Sequence, residues 1–299
     1  MDYIKLYIDF LKNNLKLKKP IKVVFDCSNG TTGLVLQQLF ETYKLKRSVT
    51  YKLINYRPDG NFPAHGPNPL KEGALDQLKQ EVKKRKADLG VAFDADGDRV
   101  FFINEKGQDI LADEIVVLMG GQYKKIVIPP NIGYLPRSYF KKNKIKFYES
   151  RIGHFFIKKT MRKYKADFGA ETSGHYYFKK FFYADSGILS AILVINAVGQ
   201  IEQPLSHWQD KNLKYYKSPE INFSAKDKVK VLAGVEKFYK VQAHKISKLD
   251  GLKMEFKDWW LLIRPSNTED LIRVSLEVKD KKNYQLRLNE IQNLMRRFY

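Results

Sequence analysis

Three carboxylates stand at alternate positions in the stretch Asp94-Ala95-Asp96-Gly97-Asp98-Arg99. Where a backbone is locally extended, alternate side chains fall on one face, so Asp94, Asp96 and Asp98 can converge on one point. Without a cation these groups would repel one another and raise each other's pKa, so a bound Mg²⁺ or Ca²⁺ accounts for the cluster. Arg99 adds a fixed positive charge there, which suits a bound anion such as a phosphate.

A calcium EF-hand is the obvious alternative, because Glu105 falls where the bidentate twelfth ligand of such a loop would lie. Two features argue against it. The sixth position, where an EF-hand needs glycine, is Arg99, and both flanks of the stretch have the pattern of strands rather than helices. The sequence therefore favours a strand-end metal loop over an EF-hand.

A second polar set, Glu171-Thr172-Ser173-Gly174-His175, follows the predicted strand at residues 166–170. Its carboxylate, hydroxyl and imidazole can accept from and donate to neighbouring sugar hydroxyls. His154, which follows Gly153 at a predicted helix start, is a weaker candidate for the same site.

A third set lies near the C-terminus, in the segment at residues 264–269. Arg264, Ser266 and Thr268, with the N–H groups of the turn, form an array of donors without hydrophobic bulk. Such an array is what a phosphate group requires.

Strand and helix patterns alternate along the chain and predict how these sets are positioned. We predict a linker helix at 1–15, an α/β domain at 16–110, a second α/β domain at 111–210 and a small α+β domain at 211–299. The two α/β domains have mixed sheets, and the residues at 201–217 have the composition of a linker. Ligands of such sheets bind beyond the carboxyl ends of the strands, which is where the aspartate loop lies.

The composition narrows the classes of partner. The 299 residues carry a net charge of +21, which suits anionic partners, but the lysines are scattered and favour a solvated surface over a nucleic-acid footprint. No apolar run is long enough to span a bilayer and no signal peptide is recognisable, so a cytoplasmic location without a membrane partner is expected. A single cysteine, Cys27, excludes an intrachain disulfide.

The three polar sets, in this order, resemble the loops of the α-D-phosphohexomutases, most closely the bacterial phosphomannomutase/phosphoglucomutase group. That family has an Asp-x-Asp-Gly-Asp-Arg metal loop in its second domain, a Gly-Glu-x-Ser-Gly-His sugar loop in its third and an Arg-x-Ser-(Asn/Gly)-Thr-Glu phosphate loop in its fourth. The three predicted domains would then be domains II, III and IV. Further matches extend the likeness across nearly the whole chain: Asp26-Cys27-Ser28-Asn29-Gly30, Phe62-Pro63 with Pro67-Asn68-Pro69, Gly153-His154 and Asp185-Ser186-Gly187.

The resemblance implies a role for each set. The aspartates at 94, 96 and 98 would bind Mg²⁺, and Arg99 would meet the phosphate in the active site. Glu171 and Ser173 would hold sugar hydroxyls, while His175 and His154 would line the site as acid/base or phosphate contacts. Residues of the third set would grip the phosphate that is not transferred: Arg264, Ser266, Asn267 and Thr268.

The sequence also departs from the family pattern. The family's phosphoryl donor is a phosphoserine in a first-domain loop of the Thr-Ala-Ser-His-Asn type, and no such loop occurs here. The sequence thus predicts a portion without the phosphoserine domain, which would be encoded separately or truncated. Smaller departures are Ala170 for glycine, Asp270 for proline, and Pro129-Pro130-Asn131 where the family has a lysine or arginine that contacts substrate.

Three functions follow as hypotheses. The first is a phosphohexomutase portion that acts on mannose or glucose 1- and 6-phosphates, is inactive by itself, and has a separate phosphoserine domain as partner. The second is a non-catalytic sugar-phosphate-binding or regulatory protein derived from the mutase fold. The third, favoured least, is nucleic-acid binding through the lysine-rich surface. The sequence leaves mannose, glucose and glucosamine open.

Overall fold

The computed structural model describes residues 2–42, 49–266 and 269–298. The helices in these ranges are α1 Tyr3–Asn14, α2 Thr32–Thr42, α3 Asp76–Arg85, α4 Ala112–Gly120, α5 Tyr134–Lys142, α6 His154–Tyr164, α7 Gly187–Val198, α8 Leu205–Asn212, α9 Lys228–Tyr239 and α10 Lys281–Met295. The strands are β1 Ile21–Asp26, β2 Val49–Ile54, β3 Leu89–Phe93, β4 Val100–Asn104, β5 Asp109–Ile110, β6 Lys125–Ile128, β7 Lys146–Glu149, β8 Phe168–Ala170, β9 Tyr176–Phe178, β10 Ala184–Asp185, β11 Tyr216–Lys217, β12 Ile221–Ser224, β13 Lys245–Ser247, β14 Leu252–Glu255, β15 Trp259–Pro265 and β16 Leu271–Val278.

The first sheet has the strand order β2-β1-β3-β4-β5 and is parallel at one end and antiparallel at the other. Every residue of β3 is buried, because helices cover both of its faces. The aspartate loop at residues 94–99 is the short connection between β3 and β4. It therefore lies at the carboxyl end of a central strand, as the sequence predicted.

The second sheet repeats this plan with the order β10-β9-β8-β6-β7. Strand β6 pairs in parallel with β7 and β8, while β8, β9 and β10 are antiparallel. The sugar loop at residues 171–175 connects β8 to β9 and so occupies the position that the aspartate loop has in the first sheet.

The third sheet is antiparallel, with the order β11-β16-β15-β14-β13 and β12 also paired with β16. Helices α9 and α10 contribute Val235 and Ile291 to its core. Two mixed α/β sheets followed by a small α+β sheet confirm the predicted fold class.

The hydrophobic core is divided unevenly among the sheets. One cluster of buried side chains runs through α1, the first sheet, the second sheet and α7, and includes Leu11, Phe93 and Phe168. The third sheet has a core of its own. The first two sheets are thus joined by apolar packing, whereas the third is joined to them by the polar contacts described below.

Helix α7 is the most apolar helix of the shared core, and eleven of its residues are buried. Ser186 begins it, since its Oγ accepts a hydrogen bond from the N–H of Leu189 at 3.2 Å. No helix within residues 2–42, 49–266 and 269–298 is long and apolar enough to cross a membrane.

Two helices were missed by the sequence reading. The stretch at 201–217, read as a linker, contains α8, which the buried polar Gln209 anchors through bonds to Asn104 at 2.6 Å and Glu114 at 3.2 Å. Polar anchors of this kind leave no apolar periodicity to detect. Helix α9 did leave one, because Val231, Val235 and Tyr239 recur every four residues and are all buried.

Candidate active site

The aspartate loop turns back on its first carboxylate. Asp94 is buried, and its Oδ1 accepts hydrogen bonds from the N–H groups of Gly97 and Arg99, both at 3.1 Å. Gly97 has a φ of +77°, a left-handed conformation that glycine adopts without a Cβ penalty. The loop is therefore held in one closed conformation by its own backbone.

The three carboxylates of the loop converge as predicted. Asp94, Asp96 and Asp98 each place an oxygen within 4.8 Å of the others. Burial raises the pKa of Asp94, and burial followed by the charges of Asp96 and Asp185 raises the pKa of Asp98. Three hard oxygen donors with excess negative charge fit a divalent cation such as Mg²⁺.

Arg99 is fixed beside this cluster. Its Nε lies 2.5 Å from Asp94 Oδ2 and 4.0 Å from Asp98 Oδ1. Its Nη1 donates to Asn68 Oδ1 at 3.2 Å, which ties the proline-rich segment at residues 57–69 to the loop. The guanidinium is partly exposed and can therefore meet an anion.

The sugar loop is built around a buried carboxylate. Glu171 Oε1 accepts the N–H of Gly153 at 2.6 Å, and Oε2 accepts the hydroxyl of Tyr177 at 2.5 Å. Ser173 Oγ and His175 Nδ1 are hydrogen-bonded at 2.8 Å. Each carboxylate oxygen of Glu171 already accepts one hydrogen bond within the protein. A sugar hydroxyl would have to donate to the second lone pair of one of these oxygens, and this contact stays a prediction.

The loops of the first two sheets are joined by backbone contacts. The N–H of Val100 donates to the carbonyl of Gly174 at 3.1 Å, and Arg99 and His175 form an antiparallel bridge. The aspartate loop and the sugar loop therefore form one continuous surface.

Two histidines meet on this surface. The rings of His154 and His175 pack edge to face with centroids 4.3 Å apart. His175 Nε2 lies 3.4 Å from Asp98 Oδ1. Burial, followed by the neighbouring His154, lowers the pKa of His175 and so favours the neutral imidazole, the form that can accept a proton.

Asp185 also belongs to the site, and the sequence reading assigned it no role. Its Oδ2 lies 3.1 Å from His154 Nδ1, and its Oδ1 lies 3.5 Å from Lys158 Nζ. The indication of Asp185 in the sequence was its position immediately before Ser186, the N-cap of α7. This position at the end of β10 places the Asp185 carboxylate beside the aspartate loop.

The phosphate loop presents Arg264 from the third sheet. Its Nε lies 2.9 Å from Asp250 Oδ2, and Nη1 lies 3.9 Å from Glu220 Oε2. The sequence reading missed both acidic partners. They hold the guanidinium in place, and an incoming phosphate would have to compete with them.

The rest of this loop is only partly described. Ser266 is buried, its N–H donates to Leu271 at 2.8 Å, and its Oγ accepts the N–H of Glu269 at 3.2 Å. The predicted contacts Asn267 and Thr268 lie outside the described residues.

Asp250 links the phosphate loop to the second sheet. Its Oδ2 accepts the N–H of Ile152 at 3.2 Å, and its Oδ1 lies 3.7 Å from Arg151 Nε. Ile152 precedes Gly153, whose N–H binds Glu171. A series of contacts therefore runs from Arg264 through Asp250 and Ile152 to the sugar loop, which connects the third polar set to the other two.

The segment Pro129-Pro130-Asn131 lacks the lysine or arginine that the resemblance implies at this place. A lysine of the third sheet contacts this segment instead. Lys253 is buried, and its Nζ donates to the Pro130 carbonyl at 2.6 Å and lies 4.8 Å from the centroid of the Trp260 ring. Burial lowers the pKa of Lys253 to about 7.

Replacing one loop carboxylate should weaken cation binding without unfolding the chain. Asp96 is exposed, so Asp96→Asn should fold normally and bind Mg²⁺ about 10- to 100-fold more weakly by isothermal titration calorimetry. Asp210→Asn, which removes an exposed carboxylate on α8, is the matched control and should keep the affinity. Equal Mg²⁺ affinity in both variants would contradict the assignment.

Comparison with known proteins bears on all three sheets. Models of phosphoglucomutase/phosphomannomutase match in series: α/β/α domain II at residues 5–107, α/β/α domain III at 110–216 and the C-terminal domain at 220–293. A phosphomannomutase from Methanocaldococcus jannaschii is 34% identical over 285 residues, which are 92% of this chain and 61% of that protein. The chain thus spans less than two thirds of this relative.

Solved structures have the same fold. A phosphoglucomutase/phosphomannomutase family protein from Burkholderia thailandensis superposes with a TM-score of 0.85 at 24% identity, covering 98% of this chain and 64% of that one. An Aspergillus fumigatus N-acetylphosphoglucosamine mutase, solved in complex with GlcNAc-6P and magnesium, superposes with a TM-score of 0.68 at 15% identity, covering 98% of this chain and 65% of that one.

Proposed function

Because this chain belongs to the phosphoglucomutase/phosphomannomutase family, we propose that it supplies the metal-, sugar- and phosphate-binding parts of a phosphohexomutase. The reaction would be 1,6-phosphoryl transfer on hexose phosphates such as mannose or glucose 1- and 6-phosphate. The observation that supports this most is that three loops from three sheets are connected to one another by the contacts of Asp98 with His175 and of Asp250 with Arg264 and Ile152.

Asp94, Asp96 and Asp98 would hold Mg²⁺. The magnesium in the Aspergillus mutase complex supports this choice of ion. Bound there, the ion would neutralise charge on the phosphoryl group in transfer. Arg99, fixed by Asp94 and Asn68, would contribute a second positive charge directed at the same group.

His175 is the better placed of the two histidines to handle the proton of the sugar hydroxyl. Its lowered pKa favours the neutral form of the imidazole, and its hydrogen bond with Ser173 fixes the ring. It would accept the hydroxyl proton as the sugar oxygen attacks the phosphorus of the phosphoserine, and would give a proton to the opposite sugar oxygen when the phosphoryl group on that oxygen is transferred back to the serine. His154 would pack against this imidazole and hold its orientation.

Arg264 would bind the phosphate that is not being transferred. A phosphate dianion carries more charge than the Asp250 carboxylate and can accept two parallel N–H bonds from the guanidinium. It would therefore displace part of the ion pair between Arg264 and Asp250. Such a grip recognises the phosphate and not the sugar, so it tolerates both orientations of a bisphosphate intermediate.

The phosphoryl donor would be a phosphoserine domain outside these 299 residues, whether in a longer polypeptide or encoded separately. The 299 residues by themselves should bind hexose phosphates and show negligible mutase turnover. Adding a separately expressed phosphoserine domain from a homologous mutase should restore measurable turnover in a coupled assay. Full turnover by the 299 residues alone would contradict the proposal that the phosphoryl donor lies outside them.

Removing the guanidinium of Arg264 should weaken the binding of hexose phosphates. Arg264→Gln should bind glucose 1-phosphate and mannose 1-phosphate about 10- to 100-fold more weakly, because a charge-assisted hydrogen bond contributes about 1.5–3 kcal/mol. The control is Arg287→Gln in α10, the helix that packs on the same sheet. It removes an arginine paired with Glu290 and should leave the affinity unchanged. Calorimetric titration with each sugar phosphate gives both values.

The turnover assay, and not the titrations, separates the mutase from a non-catalytic sugar-phosphate-binding protein. Both predict binding that depends on Arg264. Only the mutase predicts that turnover appears when the phosphoserine domain is added. Tight binding with no turnover under that condition would favour the regulatory function.

A further inference from the structure

Four potential metal ligands lie close together beside Asp94, Asp96 and Asp98, which we call the magnesium cluster. The proposed mutase reaction does not use these four ligands as a set. Asp98 comes from the aspartate loop, His154 from the start of α6, His175 from the sugar loop and Asp185 from the end of β10. Each offers one nitrogen or oxygen atom, and these atoms all lie within 4.8 Å of one another.

The spacing of these atoms suits a four-coordinate ion. Ligand atoms placed about 2.0–2.1 Å from a tetrahedral ion are about 3.3–3.4 Å from each other. Here His154 Nδ1 lies 3.1 Å from Asp185 Oδ2, and His175 Nε2 lies 3.4 Å from Asp98 Oδ1. Only small movements would bring the four atoms to coordination distance.

The state of Asp185 is an independent observation that points to a cation. Its side chain is 9% exposed, and its buried Oδ2 accepts no hydrogen bond among the described residues, although His154 Nδ1 is close. The two atoms are adjacent without being aligned as donor and acceptor. A buried carboxylate oxygen without a donor is costly, and a bound cation would relieve that cost.

From this geometry we propose that Asp98, His154, His175 and Asp185 form a second divalent-cation site, which takes a borderline transition ion such as Zn²⁺. Two imidazole nitrogens favour such an ion over Mg²⁺, which prefers oxygen ligands. The His154 side chain is 42% exposed and gives the ion a route of entry.

The second site shares Asp98 with the magnesium cluster. A carboxylate that bridges two cations places them about 3.5–4 Å apart in known two-metal sites. Lys158 pairs with Oδ1 of Asp185, which leaves Oδ2 for the metal. Taken with the function proposed above, Zn²⁺ would engage both imidazoles and so exclude a sugar hydroxyl from them.

The test is metal binding, which does not depend on mutase activity. The 299-residue chain is titrated with Zn²⁺ in the presence of saturating Mg²⁺, and the variants His154→Gln and Asp185→Asn are compared with it. We expect one Zn²⁺ per chain, with affinity reduced at least about 10- to 100-fold in each variant. Substitution with Co²⁺ should give the intense visible absorption of a four-coordinate site, and both variants should lose it.

Two controls separate this site from the alternatives. Asp96→Asn should weaken Mg²⁺ binding and retain Zn²⁺, since Asp96 belongs only to the first cluster. His244→Gln removes an exposed histidine of the third sheet and should change neither affinity. The proposal is overturned if both His154→Gln and Asp185→Asn, shown to be folded by circular dichroism, keep full Zn²⁺ affinity, or if Asp96→Asn loses Zn²⁺ as strongly as they do.

Discussion

Gly30→Ala should destabilise the fold and disrupt the aspartate loop at the same time. A Cβ on Gly30 would overlap the carbonyl oxygen of Ala95 and lie 2.7 Å from the carbonyl carbon, so backbone has to move. Ala95 stands inside the loop, and the same oxygen accepts the N–H of Thr31 at 2.9 Å. We expect the free energy of unfolding to fall by about 1–3 kcal/mol or more in urea denaturation, as for other overpacked sites.

The same shift should weaken Mg²⁺ binding about 10-fold or more, because the loop carboxylates would leave their common point. The matched control is Gly60→Ala, since a Cβ there meets nothing within 4 Å. Neither glycine has a positive φ, so the two substitutions differ in packing and not in backbone conformation. Indistinguishable stability and Mg²⁺ affinity of the two variants would show that the turn does not support the loop.

This dependence was not visible in the sequence. Nothing in the turn at residues 26–33 indicates that Gly30 packs against Ala95, 65 positions away, or that Ser28 Oγ donates to the carbonyl of Phe93 at 2.5 Å. What could be predicted was local. The alternation of Asp94, Asp96 and Asp98 needs only an extended backbone to converge, and the strand pattern around the loop supplies it.

The outer parts of the site were harder to predict for the same reason. Asp185 and Asp250 each act through a partner from another part of the chain, and an isolated aspartate beside a cap or in a turn has an ordinary local explanation. The order of the three loops indicated that they belong to one site. The contacts that join them depend on how the sheets pack, and no periodicity encodes that packing.

The polar attachment of the third sheet is the other feature on which the site depends. Glu277 of β16 is buried, and its Oε2 accepts the N–H of Tyr134 at 2.7 Å and the Nε1–H of Trp260 at 2.6 Å. Asp113 binds the N–H of Gly133 at 3.0 Å, and Lys217 contacts Asp113 at 3.0 Å. The start of α5 is thus held by a carboxylate of α4 and by a carboxylate of the third sheet.

Glu277→Ala should therefore be strongly destabilising. It leaves two donors without an acceptor, each at a cost of about 1–3 kcal/mol, so we expect the free energy of unfolding in urea denaturation to fall by about 2–6 kcal/mol. Glu277→Gln keeps one acceptor oxygen and should lose less. The control is Glu255→Ala on β14, which removes a partly exposed ion pair with Lys245 and should cost no more than about 1 kcal/mol.

The pH dependence of the stability difference between the native chain and Glu277→Gln tests whether Glu277 is protonated in the folded state. Burial, followed by the charge of Asp113, raises the pKa of Glu277 to about 7 from its ordinary value of 4.5. Between these values the folded state keeps a proton that the unfolded state has lost, so the contribution of Glu277 is complete below pH 4.5 and is lost as pH rises through 7. The stability of the native chain relative to Glu277→Gln should fall over that interval and level off above it. A difference that is constant from pH 4.5 to 8 would mean that Glu277 is already ionised in the fold, with Lys217 compensating its charge.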